Sequence, residues 1–130
     1  MALRTHPTRI ALALVAALIP LSSLAQGASG PAAARAFIAA PDVYKIVAEG
    51  QQHRVLAVTL RPGQRSAEHH HPAQTAVFFI NDCILKLTEG GSDMNAGMSA
   101  GTAIFMGLPT THAAQNVGTT DCKMVYFEPK

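Results

Sequence analysis

The chain has 130 residues, with ten Lys+Arg against eight Asp+Glu and a formal net charge of +2. So small and scattered a charge argues against nucleic acid as a partner, because a nucleic-acid binder presents a clustered basic surface. The length suits one domain with a modest core and leaves no room for a second.

At the start of the chain, Arg4 and Arg9 precede an apolar run from Ile10 to Ile19, and Ser23-Leu24-Ala25 follows it. A basic start, a short apolar run and small closing residues are the pattern of a secretory signal peptide. The run falls short of the roughly 20 residues that a membrane-spanning helix needs, and no cysteine follows it directly as a lipoprotein would require. Cleavage is expected between Ala25 and Gln26, giving a periplasmic or secreted protein with no remaining membrane attachment. Two bases and no acid leave with residues 1–25, so the mature part carries eight of each, and the pI of 8.7 owes much to the leader. Residues 26–40, rich in Ala and Gly, read as a flexible lead-in. The folded domain is expected to span 41–130, with order beginning near Pro41.

Beyond Pro41, short apolar runs alternate with turn residues at the spacing of an all-β sandwich or barrel. The strand candidates are Val43–Val47, Arg54–Leu60, Thr75–Ile80, Cys83–Thr88, Thr102–Met106, Ala113–Val117 and Lys123–Glu128. None has the length or period of a sizeable helix. Turns are expected at Arg61-Pro62-Gly63-Gln64, at Glu89-Gly90-Gly91-Ser92 and across Asn116–Asp121, where the residues turn at low conformational cost. Asn81-Asp82, set between two apolar runs, suggests a two-residue hairpin.

Five of the six histidines lie in the mature part, and four of these fall in two places, His69-His70-His71 and His112. Two histidines at i and i+2 of an extended segment point to one face. A third arriving from another strand can complete part of a coordination sphere. The competing interpretation of the triplet is a histidine-rich surface tract that binds metal adventitiously. Glu68 and His70 have the parity opposite to His69 and His71 and are expected to face away. Phe78 and Ile80 share that parity, which suits either an inter-sheet core or a homodimer interface.

The spacing resembles the cupin family. Gly63, five residues, His69, one residue and His71 match the start of the first cupin motif, G-x5-H-x-H-x3-4-E-x6-G. Gly101, five residues, then Gly107-Leu108-Pro109-Thr110-Thr111-His112 and on to Asn116 resemble the second, G-x5-P-x-G-x2-H-x3-N, with proline and glycine exchanged. The resemblance covers about residues 42–130 and implies a conical barrel of jelly-roll type around a divalent metal. It assigns His69, His71 and His112 as metal ligands, and Thr75 and Asn116 as neighbours of the ligand set, Asn116 either orienting a ligand or forming a turn. The family's glutamate would stand at position 75, where this chain has Thr75, and its closing glycine at 82, where it has Asp82.

Three neutral imidazoles leave the dication's charge uncompensated and at least one coordination position open, which favours a small anionic ligand or substrate. Iron, zinc, manganese, nickel and copper are not distinguished by such a donor set. The chemistry expected is that of a metal-dependent dioxygenase-like enzyme, or of a non-catalytic metal or small-ligand binding protein. No acid, base or nucleophile is assigned, Glu68 and Tyr126 being the candidates. In a jelly roll the segments leading into Cys83 and Cys122 are expected at opposite ends of the barrel, so the two cysteines are expected to be unpaired within one chain, although an exported protein favours disulfides.

Overall fold

The computed structural model describes residues 32–130; the leader and its cleavage site lie outside them. Nine strands dominate: β1 Tyr44–Glu49, β2 His53–Leu60, β3 His69–His71, β4 Thr75–Phe79, β5 Cys83–Glu89, β6 Ser92–Met98, β7 Ala103–Met106, β8 Thr110–Asn116 and β9 Cys122–Pro129. One sheet has the order β1-β2-β9-β4-β7 and the other β3-β8-β5-β6, and every pairing between named strands is antiparallel. This is the all-β, two-sheet jelly-roll barrel expected from the motifs. Among the described residues no helix is long and apolar enough to cross a membrane.

Alternation along the strands places the core between the sheets. In β2, Leu56, Val58 and Leu60 face inward, and in β9 their register partners Tyr126, Met124 and Cys122 do the same. Val77 and Phe79 of β4 continue the row beside Tyr126 and Met124. Each fully buried aliphatic side chain of this kind stabilises the fold by about 1.5–3 kcal/mol relative to exposure. Residues of opposite parity point out, Phe78 at 42% and Ile80 at 52% exposure. They therefore lie outside the inter-sheet core.

Order begins ahead of Pro41. A short helix α1, Ala36–Ala39, buries Ala36, and Ala40 after it is also buried. The His70 amide donates to the Ala34 carbonyl at 2.8 Å, so residues 34–35 lie along the edge of β3. Composition alone did not reveal this, because a small-residue segment packs by fitting close to another surface, not by an apolar period.

β6 was missed as a strand. Its sequence, Ser-Asp-Met-Asn-Ala-Gly-Met, has no β-branched residue, yet it pairs with β5 from Glu89↔Ser92 to Cys83↔Met98. The expected turn at Gly90-Gly91 explains it. Both glycines have positive φ, 56° and 81°, the backbone a two-residue hairpin turn requires.

Asn81-Asp82 is not a hairpin. β4 already has β7 and β9 on its two edges, so the chain crosses to the other sheet before β5. The polar side chains secure that corner: Asn81 Oδ1 accepts from the Lys123 amide at 2.9 Å, and Asp82 Oδ1 from the Ala100 amide at 2.8 Å.

The cysteine expectation is also corrected. Cys83 and Cys122, 39 positions apart in sequence, form a disulfide with Cα atoms 5.0 Å apart. β4 and β9 are antiparallel neighbours, with Phe79 opposite Met124, so the exit of β4 and the entry of β9 lie at the same end of the barrel. Cys83 and Cys122 open β5 and β9 at that end, and their bond ties one sheet to the other.

Candidate metal centre

The site is built where β3 and β8 pair. His69 lies opposite His112, and His71 opposite Thr110, so alternation turns His69, His71 and His112 into the barrel. All three are buried. His70 faces the other way and is only half-buried, its ring 3.3 Å from the Thr111 hydroxyl. Glu68 is exposed, outside the site. The glycine that opens each motif, Gly63 and Gly101, has positive φ, 75° and 78°, turning the chain into the segment that carries the histidines.

One donor atom from each histidine lies within 4.8 Å of the others, close enough to share one metal ion. Neighbouring groups set which nitrogen is free. The Ala67 carbonyl lies 2.8 Å from His69 Nδ1 and can only accept, so Nδ1 carries the proton and Nε2 the lone pair. The Glu128 carboxylate lies 2.6 Å from His71 Nδ1 and dictates the same tautomer there. The Nε2 atoms of His69, His71 and His112 are buried, and none has a hydrogen-bond partner. An unsatisfied buried polar group costs about 1–3 kcal/mol. Three such atoms converging on one point fit the coordination of a cation by neutral imidazoles.

Electrostatics agree. Burial holds the proton affinity of His69 down to a pKa of about 4, and that of His112 to about 3, with the neighbouring histidines adding to the effect. Both rings are therefore neutral near pH 7 and keep a lone pair for a metal. Burial raises the Glu128 carboxyl, but hydrogen bonds from His71 and Arg35 outweigh it and hold the group below the usual carboxylate range. Arg35, in the segment read as lead-in, donates to Glu128 at 2.8 Å and to the Pro129 carbonyl at 2.9 Å. Tyr44 and Tyr126 close the site: the Tyr44 ring is 4.7 Å from that of His69, and Tyr126 stacks on His71 at 5.0 Å. Burial pushes both phenols upward in pKa.

Thr75 and Asn116 are buried, but their hydrogen bonds go elsewhere. Thr75 Oγ1 donates to the Pro72 carbonyl at 2.8 Å. Asn116 Nδ2 donates to the carbonyls of Leu60 and Thr120, and its Oδ1 accepts from the Gly118 amide. These are the bonds of a residue that fixes the loop after β8. Glu128, which does orient a histidine, was missed. Its one signal was position: the inward alternation Cys122, Met124, Tyr126, Glu128 ends on a carboxylate.

Two antiparallel sheets closed around a buried histidine triad define a small β-barrel with a metal-competent pocket. The Cupin domain family model matches residues 56–128, and the chain belongs to the cupin family. Among solved structures it resembles a cupin domain from Bordetella pertussis Tohama I, with 17% identity, a TM-score of 0.63, and 78% of this chain and 99% of that one covered. It also resembles a conserved protein with a double-stranded β-helix domain from Klebsiella pneumoniae, with 22% identity, a TM-score of 0.55, and 67% and 75% coverage. A cupin with the same fold from Methanocaldococcus jannaschii aligns with 14% identity, a TM-score of 0.55, and 67% and 78% coverage. No curated protein matches the chain significantly. At these identities the likeness concerns the fold.

Proposed function

We propose that the mature protein is an exported cupin that holds one divalent transition metal on His69, His71 and His112. The observation that carries this is the convergence of three buried histidines, each with an unpartnered Nε2 and each offering a donor atom within 4.8 Å of the other two. When bound, such an ion supplies Lewis acidity toward a small ligand and, if redox-active, electrons for dioxygen chemistry. The chain's own residues prepare the site. Ala67 and Glu128 hold the Nδ1 protons of His69 and His71, while Tyr44 and Tyr126 cover the rings.

The activity proposed is that of a cupin-type dioxygenase acting on a small, anionic-headed molecule. A non-catalytic carrier or sensor of metal or small ligand is the second reading, and one observation favours it. The acid–base groups beside the histidines are committed, Glu128 to His71 and Arg35, and the two phenols to their protonated forms. Oxygen consumption by the iron-loaded protein against small acids and thiols separates the two. The proposal includes a homodimer through the outward face carrying Phe78 and Ile80, which sedimentation tests.

Metal stoichiometry after dialysis tests the site itself. His69→Ala, His71→Ala and His112→Ala should each lower metal content sharply, whereas His70→Ala should keep about one ion per chain. Retention by His112→Ala, with similar partial losses for His69, His70 and His71, would mark an adventitious surface tract instead.

A further inference from the structure

Beside the histidines the barrel holds a cavity of about 210 Å³ with His112 in its wall. A cavity of roughly 150 Å³ accommodates benzene, so this one takes a ring or a chain of about six carbons. Alternation along β6 brings Met94, Ala96 and Met98 to it, the facing strand β5 supplies Leu85 and Leu87, and Met106 closes another side. Glu89, solvent-exposed, is its one acidic lining residue, and no lysine or arginine lines it. A ligand whose head reaches His112 therefore has hydrocarbon and thioether around its body. A second carboxylate on that body would lose its hydration with no cation to replace it.

We infer that the ligand of this cupin carries a single donor head and an apolar body of about six carbons, and that dicarboxylates are excluded. The position of the head rests on the metal proposed above. The class of the body rests on the cavity lining alone. Thioethers suit such a body because they are polarisable and adapt to its shape.

Calorimetric titration of the zinc-loaded protein with acetate, butanoate, hexanoate and succinate tests this. Affinity should rise roughly fourfold per methylene, about two orders of magnitude from acetate to hexanoate. Succinate, with the carbon count of butanoate, should bind no tighter than acetate. Equal affinity for succinate and butanoate, or no dependence on chain length, overturns the inference. Met94 is 60% exposed, so Met94→Asp leaves the fold intact. It should weaken hexanoate severalfold by removing methylene and thioether contact from the cavity wall, with zinc stoichiometry unchanged; undiminished hexanoate binding counts against the inference. Zinc-free protein titrated with hexan-1-ol keeps the two proposals apart. Hexan-1-ol binding without any zinc uptake defeats the metal assignment and upholds the apolar cavity. Zinc uptake without chain-length dependence does the reverse.

Discussion

Glu128 Oε1 lies 2.6 Å from His71 Nδ1, and both side chains are fully shielded from solvent. The pair spans 57 residues of sequence and joins the last strand to the strand that carries two of the three histidines. A carboxylate behind a ligand histidine fixes its tautomer and raises its basicity. Glu128→Gln removes the charge but keeps the shape, and is expected to weaken metal affinity roughly 10–100-fold. Competition with a chromophoric chelator measures this. Wild-type affinity in Glu128→Gln would mean that the carboxylate serves packing alone.

Acid should destabilise the metal-free protein well before carboxylates titrate. An unfolded histidine binds its proton near pH 6.5, whereas folded His69 and His112 resist protonation down to about 4 and 3. Between these values the unfolded state holds more protons, so stability is full above about pH 6.5 and is lost as pH falls toward 4. Glu128, also lowered, acts in the same direction at lower pH. Urea midpoints measured from pH 7.5 to 4.5 should fall, and His69→Phe should flatten the slope. A midpoint that holds constant or rises on acidification contradicts the assignment of buried neutral rings.

The Cys83–Cys122 bond closes a loop of 39 residues. On the chain-entropy model it contributes about 3–4 kcal/mol. Cys83→Ser with Cys122→Ser, or reduction, should lower the thermal midpoint by several degrees, and non-reducing peptide mapping of the native protein should recover the linked pair. An unlinked pair in protein recovered from an oxidising compartment would be incompatible with this end-of-barrel geometry.

Export predicts a mature N-terminus at Gln26, from the basic, apolar and small-residue succession that ends at Ala25. Intact-mass measurement of the periplasmic fraction reads it directly. A periplasmic species that keeps Met1 to Ala25 would show that the segment anchors and is not removed.

What the sequence determined by itself was what depends on local geometry. Strand alternation sends His69 and His71 inward and His70 outward, turn chemistry places the turn at Gly90-Gly91, and motif spacing brings His112 to the same site. Each of these follows from residues close together in the chain, or from a spacing the family shares. The remaining features required the order of strands. Cys83 meets Cys122 only because β9 pairs with β4, and Asn81-Asp82 crosses between sheets only because both edges of β4 are occupied. Glu128 reaches His71, and Arg35 reaches Glu128, across separations of 57 and 93 residues. Alternation says that Glu128 faces inward, but which side chain it meets there depends on how the two sheets are laid against each other. That arrangement is set by the packing of the whole core and by no local stretch of sequence.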